Sequence, residues 1–435
     1  NEGELIVGER GPKPKATPTY PELCCHTVED LDVIDKRQKI FFRVSEEAKD
    51  IQRDEIIPYW RGRSMRDLMF AQMTQEWHDC YESGIFTEFM EQRAPGHTVC
   101  DDKIYKKGFM GFKEDIEKQL AALDFVNDMN AYNKQEELRA MSICADAIIS
   151  FGLRHAEKAL ELALKESNPE RREELKQIAD VCYNVPANAP GSFHEALQMY
   201  WFVHLCVITE LNTWDAYCPG KLDQHLLPFY DPTRRDEAEE LLHCFWIKFN
   251  NQPAPPKVGV TAAESGTYTD FAQINLGGLR PDGADAVNEV TYLLLDVIEE
   301  MRLLQPSSSV QVSKKNPDRF VRRAAKIIRT GFGQPSIFNS DLIVEELVRM
   351  GKTISDARCG GSSGCVEVGA FGKEAYILTG YFNLPKVFEL ALHNGRDPRS
   401  GRQLGPQTGE AAGFATFDEL FAAFERQMQH FLDIK

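Results

Sequence analysis

No apolar run in this chain approaches the ~20 residues a membrane helix needs, and its charged N-terminal stretch lacks the pattern of a signal peptide. Basic charge is short as well: 50 Lys+Arg stand against 67 Asp+Glu, a net charge of −17, with no basic patch. That balance argues against nucleic acid and anionic membrane surfaces as partners. It says little about a small substrate, because a pocket can oppose the global sign. The 11 cysteines are scattered, odd in number and without a CxxC pair, which fits a reducing cytoplasm rather than a disulfide scaffold. Neither the adjacent Cys24–Cys25 nor Cys359 has a His/Cys cluster at ligand spacing, so no metal is assigned. Internal repeats and low-complexity tracts are also missing, and the one proline-rich patch, 253–256, reads as a loop.

What the chain does have is length and periodicity. With 435 residues, 43% of them hydrophobic, it can bury a large core. Residues 45–60 and 64–92 carry helical periodicity (Ile51, Ile56, Ile57; Leu68, Met69, Met73). A long helical segment is expected over about 134–180, with Met141, Cys144, Ile148, Phe151, His155 and Ala159 as a core stripe. Pro186 and Pro190 break it before a buried helix at 192–209, and further helices are expected over 234–250 and 284–303. Short β-rich runs at 271–276, 309–313, 336–338 and 365–368 separate the helices. Strands alternating with long helices predict an α/β arrangement around a central sheet.

The most informative segment is CGGSSGCVEVGAFGKE, residues 359–374. Five small residues, Gly360 to Gly364, precede Cys365, and Glu367 follows two positions later. Such a run leaves the backbone unshielded and suits a loop pushed into a crowded cavity. In an extended segment the thiol and the carboxyl would share a face. Enzymes that attack with a thiolate place their cysteine beside a cation or a helix N-terminus. Here the nearest cation in sequence is Lys373, eight residues on, and the near neighbour is an acid. A carboxylate raises a thiol pKa and keeps the S–H intact, which disfavours nucleophilic attack and suits hydrogen-atom transfer.

The same run resembles the cysteine loop of the glycyl radical enzymes, the family of pyruvate formate-lyase and the diol dehydratases, with its G-C-V-E signature. The resemblance extends in order through NEGELIVGERGPKPKATPTYPE (1–22), QRAPGHT (92–98), NVPANAPGSFHEALQMYWFVHL (184–205), CPGKLDQHLLPFY (218–230), FAQINLGG (271–278) and GYFNLPKVFELALHNGRDP (380–398). It implies half of a ten-stranded α/β barrel with the cysteine loop threading its middle. It also implies a glycyl radical, installed by a radical S-adenosylmethionine activating enzyme, in an R-V-x-G-(Y/F) segment that this sequence does not contain. Arg329-Thr330-Gly331-Phe332 lies upstream of the cysteine loop and is given no radical role. On this reading residues 1–435 are an incomplete pyruvate formate-lyase-like domain, inactive without the glycine-bearing segment, and the full-length protein is a cytoplasmic homodimer.

The chemistry implied by the resemblance is a lyase reaction on a small organic molecule. Cys365 carries the hydrogen atom, and Glu367 acts as general acid or base. A carboxylate bonded only to loop amides is the alternative for Glu367. Phe271, Gln92 and Glu88 match pocket-lining places in relatives, although core packing explains Phe271 equally well. His97 and His393 lie closest to matched motifs, where a purely structural role remains open. The GAFGKEAY text after Glu367, with FTEFMEQRAPGHT (86–98), looks most like the arylacetate decarboxylases. Phe271, Trp214 and Tyr217 would then line a ring site. Glu88 and Phe271, where a sulfonate would call for cations and an indole, count against isethionate. The expected function is therefore decarboxylation of an arylacetate. The alternatives are a C–O, C–N or C–S lyase, an enzyme adding a hydrocarbon to fumarate, or, from another class, a silent scaffold subunit of a split enzyme.

Overall fold

The computed structural model describes residues 3–9, 21–22, 24–36, 43–87, 98–210, 217–250, 272–364, 366–374 and 380–435. The chain divides into two compact units. The larger takes in 1–18, 33–43 and 95–376, and the smaller 19–32, 44–94 and 377–435.

The larger unit is built on a parallel sheet of four strands in the order β3 (Gly220–Lys221), β4 (Gln273–Gly277), β5 (Ser307–Val312) and β6 (Ser336–Asn339). Parallel neighbours need long crossovers, and helices supply them. The Glu289–Met301 helix leads from β4 to β5, and the Asp318–Ile328 helix from β5 to β6. Asn288 starts the first of these with a capping box: its side chain accepts the Val290 and Thr291 amides, and Thr291 Oγ1 accepts the Asn288 amide. A second parallel pair joins β1 (Thr98–Val99) to β2 (Tyr217–Cys218), and β7 (Gly361–Ser363) forms an antiparallel hairpin with β8 (Glu367–Gly369). The α/β expectation holds. Of the expected β-rich run at 365–368, Cys365 lies outside the described residues, and the strand that forms there, β8, begins at Glu367 as the returning arm of the hairpin.

Period-two alternation gives the sheet two different faces. Ile274, Leu276 and Val310 are fully buried in the main hydrophobic core, with Trp201, Phe245 and Leu294 of the surrounding helices. Register pairs Asn275 with Ser309 and Gly277 with Gln311, so these line the opposite, polar face. At Gly277 (φ +74°) a Cβ would sit 2.5 Å from Phe320 Cζ, so the glycine lets the end of β4 approach the helix.

The segment expected as one helix over 134–180 is two, Ala131–Lys165 and Pro169–Asn184. Asn168 accepts the Glu170 amide as N-cap and Pro169 takes the first helical position, where its missing N–H costs nothing. A residue before proline avoids the α region, so the break is local in origin. The expected core stripe is also corrected. Ile148 and Ala159 are buried, whereas Met141 and Cys144 are exposed, because the buried stripe of that helix runs through Ala145, Gly152, Ala156 and Ala163 and leaves those two positions to one side.

In the smaller unit, the Gln75–Glu82, Leu384–Leu392 and Phe417–Ile434 helices enclose a second core of Trp77, Phe86, Leu390 and Phe431. The expected helix over 64–92 is interrupted at Thr74, whose hydroxyl caps the following helix by accepting the Trp77 amide. Ile51 and Leu68, expected on apolar faces, are exposed. Among the described residues no helix is long and apolar enough to cross a membrane.

Candidate functional site

The β7–β8 hairpin lies on the polar face of the sheet, and one side chain holds it there. Asn275 Nδ2 donates to the Ser362 carbonyl (2.7 Å), and its Oδ1 accepts the Ser362 amide (3.1 Å). This two-way pairing mimics a strand partner. Gln311 Nε2 (2.7 Å) and Ser309 Oγ (3.3 Å) donate to the same Oδ1 and fix the amide orientation. Asn275, Ser309, Ser362 and Ser363 are fully buried, and Gln311 nearly so. A buried polar network of this kind imposes one geometry only when its members are paired. The small residues are explained by proximity: a Cβ on Gly361 would stand 2.7 Å from Asn275 Oδ1 and 2.8 Å from Phe371 Cζ.

Cys218, at the end of β2, adds a second anchor. Its buried sulfur accepts the Gln273 amide (3.3 Å) and the Gly364 amide (3.5 Å) and lies 3.7 Å from Ser363 Oγ. Gly364 adopts φ +56°, so the chain turns there. Across the hairpin Glu367 pairs with Ser363; its carboxylate is half-buried and accepts the Val366 amide at 2.9 Å. Cys365 falls outside the described residues, as do Phe271, Gln92, Glu88, His97 and Trp214. Of the residues expected at the site, the structure therefore locates Glu367, Tyr217 and His393. Tyr217 is corrected: its ring stacks on Tyr200 (5.9 Å between centroids, 11° between planes) within the core. His393 belongs to the smaller unit, where it follows the Leu384–Leu392 helix as a C-terminal cap.

Beside the hairpin stem lies a pair of buried charges on the C-terminal edge of β3. Lys221 Nζ donates to the carbonyls of Leu279 (3.0 Å) and Arg358 (2.5 Å), and burial pulls its pKa down to about 8. Asp223 accepts Thr291 Oγ1 (2.6 Å) and the Gly277 amide (2.7 Å), yet burial outweighs these bonds and raises it to about 6. Asp223 thereby ties β4 to the cap of its crossover helix.

Among the described residues, one group could gather three ligand atoms around a metal: Glu239, His243 and Glu300, within 4.8 Å of one another. His243 Nε2 faces Glu300 Oε2 at 3.4 Å, and Arg235 stands 3.9 Å from Glu239. Cys25 Sγ is engaged by Gln52 Nε2 at 3.6 Å and by the His26 carbonyl at 3.8 Å.

The anchors Asn275, Ser309, Gln311 and Cys218 were not singled out from sequence. For Asn275, Ser309 and Gln311 the signal was present in the alternation of QINLG and SSVQV, where polar residues recur every second position between apolar ones; Cys218 had none.

The pyruvate formate lyase-like family profile matches residues 1–435. The chain belongs to that family of glycyl radical enzymes. It is 58% identical to the trans-4-hydroxy-L-proline dehydratase of Clostridioides difficile, over 100% of this chain and 56% of that protein. The crystal structure of that dehydratase with its substrate bound superposes with a TM-score of 0.93 at 57% identity, again covering 100% of this chain and 56% of the other. The glycerol-bound form of the B12-independent glycerol dehydratase from Clostridium butyricum gives 0.90 at 32% identity, covering 100% and 55%. The indoleacetate decarboxylase of Tractidigestivibacter scatoligenes is 28% identical over 87% of this chain and 44% of its own length. The chain spans about half the length of the relatives it matches. The likeness to arylacetate decarboxylases read from the text after Glu367 is thus outweighed by whole-chain identity. A short loop tail reports local backbone needs as much as substrate.

Proposed function

We propose that this chain is the cysteine-loop part of a glycyl radical dehydratase, a C–O lyase whose substrate is a small hydroxylated ring compound of the trans-4-hydroxy-L-proline type. The observation that carries this reading is the 58% identity to trans-4-hydroxy-L-proline dehydratase along the whole chain. It favours the C–O lyase alternative over arylacetate decarboxylation. The family's glycyl radical, installed by an activating enzyme, supplies hydrogen-atom abstraction. The site suits that group: a hairpin of small residues is pinned by Asn275 and Cys218 with little freedom to recoil.

Within this frame Cys365 would first give up its thiol hydrogen to the family's radical group; its sulfur would then take a hydrogen atom from a substrate carbon and hand it back to the product, and the S–H would be restored when the first hydrogen comes back from that group. Glu367 moves a proton at the substrate as the C–O bond breaks and the hydroxyl departs as water. The half-buried setting of Glu367 beside the Val366 amide leaves it able to serve that exchange. Asn275 and Cys218 hold the loop so that thiol and carboxyl address one ligand. The expected partners are the activating enzyme and a second copy of the full-length protein.

The test is anaerobic activation of the full-length protein with its activating enzyme, followed by a panel of trans-4-hydroxy-L-proline, glycerol, indoleacetate, choline and isethionate. Dehydration of the hydroxyproline, with an electron paramagnetic resonance signal from the protein radical, is the expected result. Turnover of indoleacetate or isethionate alone would overturn it.

A further inference from the structure

Register places Lys221 of β3 beside Asn275 of β4, and Asn275 beside Ser309 of β5, so the three form one row across the polar face of the sheet. Asn275 holds the hairpin at Ser362. Lys221 holds the same stretch of chain slightly earlier. Its Nζ donates to the Arg358 carbonyl at 2.5 Å and to the Leu279 carbonyl, just beyond β4, at 3.0 Å. One ammonium thus ties the end of the sheet to the approach of the cysteine loop.

Arg358 lies in the last turn of the Ile354–Cys359 helix, where backbone carbonyls lack a following turn to donate to them. The Gly360 amide satisfies the Ala357 carbonyl, and β7 begins at Gly361. A lysine suits such a helix end because it donates to a stranded carbonyl and brings positive charge to the negative end of the helix. The stem has no slack. A Cβ on Gly360 would stand 2.4 Å from the Gly369 carbonyl oxygen, so the two arms already touch. Gly369 ends the strand that opens with Glu367, and a shift at Arg358 would pass into both arms. Lys221 is only 3% exposed, and a buried cation costs so much to desolvate that an apolar side chain often serves stability as well. Its worth lies in what it holds in place.

We propose that Lys221 is a positioning residue for the cysteine loop, fixing through the Arg358 carbonyl where the β7–β8 hairpin leaves its helix. The proposal rests on the reading of that hairpin as the thiol-bearing loop. Lys221 acts through backbone, and the substrate is met by the loop it aims.

The test uses the full-length, activated protein and whichever compound of the panel the parent turns over. Lys221→Met keeps the length of the side chain and removes its donors. It should lower kcat about ten- to hundredfold, with KM within about twofold of the parent and the protein radical signal unchanged. Hydrogen–deuterium exchange of the hairpin amides, followed by mass spectrometry, should quicken about tenfold. Leu276→Ala, a destabilised control on the apolar face, should keep its kcat. Lys221→Gln retains an N–H donor on a shorter arm and serves should the Met variant not fold, with a smaller change in the same direction. Parent-like kcat in a folded Lys221 variant would overturn the proposal. So would hairpin exchange no faster than in Leu276→Ala. The exchange measurement needs no substrate, so a wrong functional reading and a wrong role for Lys221 are told apart.

Discussion

The two faces of the β3–β6 sheet share strands and register but follow different rules. On one, Ile274, Leu276 and Val310 meet the helices through dispersion and apolar burial, where volume matters and direction does not. On the other, Asn275 meets the hairpin through hydrogen bonds at set angles and distances, and Ser309 and Gln311 fix Asn275 by bonds of their own. The first face is tolerant of shape-conserving change and expensive to hollow out. The second stabilises less per residue and specifies more, because each partner it loses leaves another buried group unpaired. Holding a reactive loop in place calls for the second kind of contact.

The largest effect that would sharpen this contrast lies at the loop itself. Cys365→Ser in the full-length, activated protein should abolish turnover while leaving both the protein radical signal and the unfolding midpoint unchanged. Retained turnover would remove the hydrogen-carrier role.

Next in size is Leu276→Ala on the apolar face, with an expected loss of about 2–5 kcal/mol of stability. Denaturant unfolding measures it, and the fraction still folded should keep its kcat. A matching fall in kcat would mean that the two faces are not separable.

Asn275→Ala should cost less stability, about 1–3 kcal/mol, by stranding the Ser362 backbone and the Gln311 amide. It should nevertheless lower kcat more than Leu276→Ala does, compared at a temperature where both are folded. Equal or full kcat in this variant would show that the clamp holds structure without positioning chemistry.

The smallest signal is a change of pH slope. Burial raises Asp223 from 3.8 to about 6, so the folded protein holds this proton more tightly than the unfolded chain does. The resulting stabilisation is full below about pH 3.8 and is lost as pH rises through about 6. Asp223→Asn should remove a slope no steeper than ~1.4 kcal/mol per pH unit across that window. Unfolding free energies of parent and variant, subtracted pH by pH, test this. A flat difference would mean that the donors around Asp223, Thr291 Oγ1 and the Gly277 and Gln224 amides, offset burial.

Much of this protein was legible in linear order. The run from Gly360 to Gly364 ahead of Cys365 and Glu367 pointed to a tightly packed loop with protonated-thiol chemistry, and the ordered motifs pointed to the family. Alternation of strands with helices pointed to α/β, because side-chain period is a local property of the backbone. The helix break at Asn168–Pro169 was equally local and could have been read from proline's effect on its predecessor. What the sequence by itself determined, then, was composition, periodicity and motif. Only the tertiary structure decided that Asn275 would pair with the backbone of Ser362, 87 positions away. It alone brought Cys218 to the Gly364 amide. Such pairings depend on strand register and on which crossover lies over which face, quantities that emerge when distant segments pack and that no local pattern encodes.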